Sequence, residues 1–456
     1  MNPSGTEDRT TDAEPHPLLA AAPWLSAPAT RKVLAALEAD GNRCRVVGGA
    51  IRNTLIGLDV NEVDIATDAR PEAVIALAGR ARLKVVPTGL AHGTVTVIAD
   101  ATPFEVTTLR RDVETHGRHA TVAFTDDWCA DAERRDFTMN ALYCDARGVL
   151  FDPVGGLADV ERSRVRFIGD AHQRIREDYL RILRFFRFAA AHGEGIVDAS
   201  GLEACIAERA GLARLSAERI HSELLRLLAA RHVRPVLDVM HAAGLLADIL
   251  GTSPDMRAFH RLHDIARLFA MSRHEPPTRA RAGKPLEKEC APPVQVDALL
   301  GLAALAVRTP ADAKILMQRL RLSRDEGARL QHAATAAADL VRAAGEPGTA
   351  ARALITATMY RRGAAAAGDG LRLAWARSAD PINDARWRDV TLLAQHWQPP
   401  RLPFTGADIV ALGVAPGPRI GEVLRNFEAW WIAAGFPDDA ERNAAELARR
   451  AMVTKP

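Results

Sequence analysis

The sequence predicts an α+β head, a mixed sheet with helices, followed by an all-α remainder. Three observations carry that prediction. Short β-like runs (CRVVG, EVDIAT, LKVVP, GTVTVIA, FEVTTLR) alternate with the helical stretches AIRNTLIG and PEAVIALAGRA in the first third of the chain. From about residue 157 nothing strand-like recurs, and Leu, Ile, Phe and Ala return at helical spacing in EDYLRILRFFRFAAAHG and SAERIHSELLRLLAARH. The chain has 456 residues, too many for one ordinary core, so two to four domains are expected.

Taken in order, residues 1–28 read as a flexible tail, after which Thr30 is placed to cap a helix, TRKVLAALEADG, that stops at Gly41. Residues 29–156 form the head. Within it the segment 110–124, RRDVETHGRHATVAF, reads as a polar loop, either a mobile substrate-facing element or a plain surface loop. Residues 157–232 form a helical neck and 233–345 a helical body. The body contains a proline-rich, charged stretch, 274–296, read as a disordered insertion, and residues 346–456 form a helical tail expected to bind RNA.

Composition narrows the function classes. Hydrophobic residues make up 48% and charged residues 25%, the profile of a soluble globular protein, and no apolar run approaches a membrane span. The N-terminus lacks the basic start and apolar core of a signal peptide, so the expected compartment is the cytoplasm. Five scattered cysteines with no CxxC suggest neither a zinc knuckle nor a disulfide framework. A net charge of +2 does not by itself announce a nucleic-acid partner.

The chemistry concentrates in VVGGAIRNTLIGLDVNEVDIAT, residues 46–67. Alternation along a strand sends Glu62 and Asp64 to one face and Val63 and Ile65 into a core. Such a pair is commonly just a solvated face, but a double glycine opening a helix stands within about twenty residues of it. Glu105 in FEVTTLR supplies a third carboxylate if its strand lies beside that of Asp64. Three converging carboxylates frame two Mg²⁺ ions, able to lower the pKa of an attacking hydroxyl and hold triphosphate oxygens. Gly48 and Gly49 then let backbone N–H groups approach phosphates, with Arg52 one turn in as a counter-charge. These parts fit nucleotidyl transfer.

VVGGAIRN, EVDIAT, ERRDFTMNALY, FDPVGG, REDYLRILRFFRF and ERIHSELLRLL stand in the order and near the spacing of the motifs of a known family. The chain resembles the class II tRNA nucleotidyltransferase/poly(A) polymerase family of the polymerase-β-like nucleotidyltransferases, closely over residues 30 to about 230. The likeness returns at TGADIVALGVAPGPRIGEVL. It implies a seahorse-shaped protein that adds CCA to tRNA 3′ ends from CTP and ATP without a nucleic-acid template. It further implies that Gly49 and Arg52 touch the nucleotide, that Glu62 and Asp64 hold the metals, and that Arg135 binds phosphate or ribose. Asp178, Arg181, Arg184 and Arg187 would line the nucleotide pocket. The implied partners are tRNA, through its 3′ end and acceptor arm, and the two nucleotides, with neither a membrane nor an obligatory protein partner evident.

The neck helix also has a logic of its own. Asp178 and Arg181 are three apart on one face, and Arg184 and Arg187 continue it. Taken alone, they read as a solvated ion-pair stripe. Against a base, a carboxylate plus a guanidinium matches the amino donor and ring-nitrogen acceptor shared by cytosine and adenine, and mismatches uracil and guanine. Two positions depart from the family pattern, Glu62 and Asn53, where aspartates are usual; glutamate keeps the charge but lengthens the arm around an ion that tolerates little distortion. His263-Asp264 reads as an ordinary helix rather than a metal site, and Trp430-Trp431 as packing residues. Alternatives to CCA addition are poly(A) synthesis, CC-only or A-only addition, and a non-catalytic RNA-binding homologue.

Overall fold

The computed structural model describes residues 14–116, 119–273, 296–343 and 348–453. The chain divides into two compact units, residues 1–249 and 250–456. The stretch expected to be a disordered insertion lies outside the described residues, apart from its last position, 296.

In the N-terminal unit the chain is helical from Pro17, earlier than the expected end of the tail at residue 28. Helices α1 (Pro17–Ala20) and α2 (Pro23–Ser26) bury Leu19 and Leu25. Helix α3 (Pro28–Glu38) starts on Pro28, whose fixed φ suits the first helical turn. Thr30 is therefore inside the helix and not its cap; its hydroxyl donates to the Trp24 carbonyl at 2.6 Å.

The sheet is built from β1 (Cys44–Val47), β2 (Asp64–Thr67), β3 (Lys84–Gly89), β4 (Thr94–Ala99) and β5 (Thr102–Thr108). Helix α4 (Gly49–Leu55) follows β1, and α5 (Pro71–Arg80) follows β2. Strands β6 (Arg110–His116) and β7 (His119–Phe124) pair only with each other. The segment expected to be a loop is thus a hairpin, held by backbone pairing that its polar sequence does not advertise. After α6 (Trp128–Glu133), the short strands β8 (Tyr143–Cys144) and β9 (Leu150–Phe151) complete a seven-stranded mixed sheet in the order β3-β4-β5-β2-β1-β8-β9. No strand occurs beyond Phe151 among the described residues, in line with the α+β head and helical remainder read from sequence.

Two pairings place the site. β1 and β2 run antiparallel with Val47 opposite Asp64, while β2 and β5 run parallel with Ile65 opposite Val106. One step back along both parallel strands, Asp64 and Glu105 lie level on the face that Ile65 and Val106 do not use. Glu62 falls just short of the strand, which begins at Asp64, and it is exposed.

The neck belongs to the same compact unit as the head. Helix α7 (Gly156–Glu161) leads to α8 (Ala171–Glu177) and α9 (Leu180–His192), and α10 (Ala199–Ala207), α11 (Ala217–Leu228) and α12 (Val233–Ala242) follow. α9 buries Leu180, Ile182, Leu183, Phe185, Phe186 and Phe188. Phe137 sits between the two parts: its ring centroid is 5.0 Å from Phe167 and 5.1 Å from Phe188. An aromatic cluster of this kind holds two elements in fixed register, because each ring packs in a defined orientation.

The C-terminal unit is helical throughout its described residues, from Met256–Arg273 to Ala440–Val453. His263 contacts the Phe259 carbonyl at 3.0 Å within its own helix, and Trp431 is 3% exposed in an aromatic core with Phe427 and Val423. Both agree with the reading of these residues as structural. Among the described residues no helix is long and apolar enough to cross a membrane.

Candidate functional site

In the N-terminal unit a cleft of about 490 Å³ gathers residues from four places in the sequence. Gly48, Gly49, Arg52 and Asp64 come from the sheet edge and α4; Arg134, Arg135, Asp136 and Asn140 come from the segment after α6. Asp178, Leu180, Arg181, Arg184 and Phe188 come from the α8–α9 region, and Arg219 comes from α11.

Gly48 is the hinge between strand and helix. It has φ +75°, ψ −113°, a conformation open to glycine, and a Cβ there would stand 3.3 Å from the Asn140 carbonyl oxygen. Its N–H donates to the Leu142 carbonyl at 2.9 Å, so it is not available to a phosphate as the sequence suggested. Gly48→Ala is therefore expected to cost about 1–3 kcal/mol of stability through backbone strain and to raise the KM for nucleotide as Asn140 is displaced. Thermal melts and nucleotide titrations check it.

Arg52 is buried at the cleft floor. It donates to Asn53 Oδ1 at 2.8 Å and to Asn140 Oδ1, and its guanidinium lies 5.2 Å from the Phe188 ring centroid. Burial, together with the nearby Arg187 and Arg184, lowers its pKa to about 10 against the pull of Asp136, which leaves it cationic at neutral pH. Asn53 donates in turn to the Asp59 carbonyl at 2.9 Å. An ionised aspartate has no N–H to give, so the amide here ties Arg52 to the turn preceding β2 in a way a carboxylate does not reproduce.

Asp64 is half-buried. Burial, with the charges of Glu105 and Glu62, pushes its carboxyl up to about 6, while Arg135 opposes the shift. The three carboxylates thus act on one another, and mutual repulsion of this kind is relieved by a cation. They do not form a finished cage: among the described residues no three His, Cys, Asp or Glu side chains are grouped to hold a metal. Glu62 and Glu105 are exposed and do not line the cleft. Two carboxylates completed by water and substrate phosphates are the ordinary way to hold Mg²⁺, so the residues present fit such an ion.

Arg135 is locked from behind. It donates to Asp131 at 3.0 Å and to the Tyr143 hydroxyl at 3.2 Å, and Tyr143 donates to Asp131 at 2.7 Å. Asp131 is 1% exposed, yet Arg135, Arg134 and Tyr143 hold its carboxyl down to about 2 against burial. A buried carboxylate satisfied on every side fixes the arginine with little rotamer freedom to lose when a phosphate arrives.

The neck residues are each paired. Asp178 closes α8, and Arg219 grips it with two hydrogen bonds, 2.6 and 3.1 Å. Arg181 donates to Glu177 and, at 2.6 Å, to the Arg174 carbonyl. Arg184 reaches back to the head and donates to Asp136 at 2.8 Å, while Asn140 donates to the other oxygen of that carboxylate at 3.0 Å. Arg187 bonds Glu223 at 2.6 Å and lies 4.4 Å from the Phe188 ring, outside the lining of the cleft. Of the residues singled out from sequence, Gly48, Gly49, Arg52, Asp64, Arg135, Asp178, Arg181 and Arg184 meet in one cleft, whereas Glu62, Glu105 and Arg187 stand beside it. Sequence reasoning missed Asp136, Asn140 and Arg219. The first two were inside the quoted ERRDFTMNALY and the third inside ERIHSELLRLL, so motif membership was the available signal.

Comparison with known proteins gives the following. Residues 44–166 match the Poly A polymerase head domain, and residues 197–259 match the probable RNA and SrmB-binding site of polymerase A. The chain is 32% identical to the mitochondrial CCA tRNA nucleotidyltransferase 1 of Mus musculus, over 87% of this chain and 84% of that protein. It is 39% identical to the CCA-adding enzyme of Geobacillus kaustophilus over 48% of this chain and 54% of the other. Among solved structures, the Bacillus stearothermophilus CCA-adding enzyme in complex with CTP superposes with a TM-score of 0.67 at 23% identity, covering 94% of this chain and 98% of that one. The Thermotoga maritima CCA-adding enzyme complexed with tRNA_CCA gives 0.64 at 17% identity, over 92% and 94%. At these identities the structures speak for the fold.

Proposed function

The chain belongs to the class II CCA-adding enzyme family, and from that premise we propose that it adds CCA to tRNA 3′ ends from CTP and ATP in the cytoplasm. The observation that carries the reading is the cleft itself, where Asp64 faces arginines fit for a triphosphate beside an Asp178–Arg181 pair fit for a base edge. Nucleotidyltransferases of this kind use a divalent metal; Mg²⁺, held by Glu62 and Asp64, is our reading of which ion and which ligands. When bound, such an ion supplies charge for the triphosphate and acidifies the tRNA 3′ hydroxyl.

The chain's own residues do the rest. Gly49 and Arg52 border the nucleotide, and Arg135, held rigid by Asp131 and Tyr143, offers its charge to phosphate or ribose. Asp178 accepts from the exocyclic amino group of cytosine or adenine, and Arg181 donates to the neighbouring ring nitrogen. Arg184 spans head and neck through Asp136. Arg187 acts through Glu223 and Phe188 and not by touching the base. Glu105, level with Asp64, contributes negative field at the metal edge. The helical neck, body and tail from residue 157 onward are read as the RNA-holding part.

The deciding assay offers a tRNA lacking CCA with labelled CTP, ATP or both. Incorporation of two C and one A is expected; long A tracts on unrelated RNA without C, or addition of C alone or A alone, would reject it. Glu62→Asp tests the altered ligand. Because Glu62 is exposed and precedes the strand, its longer arm has room to reach the same ion, and kcat is expected to change by less than about tenfold. A natural protein that is inert while Glu62→Asp turns over would show an RNA-binding homologue instead.

A further inference from the structure

The C-terminal unit contains a groove of about 680 Å³, lined entirely by residues between 352 and 443, that the nucleotidyl-transfer chemistry does not use. We infer that this groove is a second nucleotide site, taking one nucleotide unit by stacking on its base and pairing with its phosphate.

Two half-buried aromatic rings, Trp397 and Phe436, line it with their centroids 5.7 Å apart, and the buried Trp431 forms the floor. A planar base stacks on such faces without regard to its identity. Arg352 and Arg401 are both exposed at the groove, and neither has a carboxylate partner among the described residues. They stand apart from most arginines of the nucleotide cleft, which are already spent on acids, and two uncommitted guanidinium groups beside an aromatic wall suit a phosphate.

A third observation points to a donor on the ligand. Asn443 is 4% exposed, and its Nδ2 donates to the Pro437 carbonyl at 2.8 Å, which also accepts from Trp431 Nε1 at 3.1 Å. Turning the amide over would set two oxygens against each other, so its orientation is fixed. Among the described residues its Oδ1 is left buried without a partner, an unpaired acceptor that an N–H of a ligand would satisfy. The covering turn is itself strained. Phe436 sits at φ +58°, directly after Gly435 at φ +77°, a region a bulky side chain seldom occupies. Exposed Asp438 also borders the groove, and its carboxylate favours a base amino group over a bare polyanion there.

The shared chemistry, base plus phosphate, comes from either a free mononucleotide or a nucleotide of an RNA, and only the second source rests on the function proposed above. The test uses the full-length protein with 8-azidoadenosine, presented as the free 5′-monophosphate in one arm and within a tRNA lacking CCA in the other. After photolysis the labelled peptides are mapped. Attachment within residues 397–403 or 431–443 in either arm supports the site and names its source; labelling confined to the N-terminal cleft in both arms overturns it. This readout does not depend on nucleotide addition, so it survives a failure of the functional reading. In the RNA case, Trp397→Ala and Arg401→Glu are expected to raise the KM for tRNA about tenfold with kcat and the KM for CTP unchanged, while Trp397→Phe retains wild-type behaviour. RNA affinity that follows the arginines but ignores Trp397 would mean a bare phosphate contact, and a site competed by an acidic peptide but by no nucleotide would mean a protein partner; either overturns the inference. Should Trp397→Ala fail to fold, Arg401→Glu on the exposed rim and the labelling map still decide.

Discussion

Replacing Asp64 with asparagine is expected to lower kcat for both CTP and ATP addition by roughly 10³-fold or more, while making the metal-free protein more stable above about pH 6. The two effects have one cause. In the folded chain burial and the neighbouring carboxylates push the Asp64 carboxyl up to about 6 from its ordinary 3.8. A carboxyl whose folded pKa lies above its unfolded value penalises the native state once it ionises. The penalty is absent below the unfolded value of 3.8, grows as pH rises toward about 6, and is full above that. Allowing for the solvent-exposed part of the group, removing the charge should return about 1–2 kcal/mol at pH 8, a few degrees of Tm, and nothing at pH 4. Added Mg²⁺ should reverse the ranking, because an ion that binds only the native wild-type site stabilises that protein and not the variant. Melting curves at pH 4 and pH 8, with and without Mg²⁺, check the stability half, and steady-state kinetics check the other. An Asp64→Asn protein that is no more stable than wild type at pH 8 without metal would mean that the three charges do not strain the fold.

Much of this site could be read from the chain because its parts lie on short, strongly patterned elements. EVDIAT and FEVTTLR each alternate cleanly, and the placement of Asp64 level with Glu105 needed only that the two strands be neighbours, which parallel pairing of β2 and β5 provides. The pairing begins at Asp64, however, so Glu62 lies outside the strand and its alignment with Asp64 is not enforced by the sheet. The neck stripe was legible only in part: Asp178 has extended backbone (φ −152°, ψ 107°) between α8 and α9 and shares no helical face with Arg181, because the chain bends there from one helix into the next. Steps of three residues fall short of a helical turn by about 60° each, so a face shared by Arg181 and Arg184 has rotated away by Arg187, which is found on Glu223 instead. The hairpin at 110–124 was hidden because its strands pair only with each other and carry a polar sequence without a clear apolar alternation. Arg219 was signalled only by its place in ERIHSELLRLL: its contact with Asp178 spans 41 residues and depends on how α11 packs on α9.

That contact shapes the expected effect on nucleotide choice. Asp178→Ala should weaken discrimination against UTP by about 1–3 kcal/mol, roughly five- to 150-fold in relative kcat/KM, because the acceptor for the amino group of cytosine and adenine is gone. Metal dependence should not move, since the carboxylates at the sheet edge are untouched. Arg181→Ala should instead lower kcat/KM for CTP and ATP together, as each ring nitrogen loses its donor. Arg219 separates a base-reading Asp178 from a structural ion pair. Its two hydrogen bonds to Asp178 set the plane of that carboxylate while leaving further lone pairs for the base. If Asp178 reads the base, Arg219→Ala should relax selectivity in the same direction as Asp178→Ala but by less, and the double variant should be no worse than Asp178→Ala alone, since the arginine acts only through the acid. If the pair merely braces α8 against α11, all three variants should melt earlier and keep their preference for CTP and ATP over UTP. Measuring kcat/KM for the three nucleotides on a tRNA lacking CCA, with Tm recorded for each protein, distinguishes the two because a partly buried brace moves the second quantity and a selector moves the first.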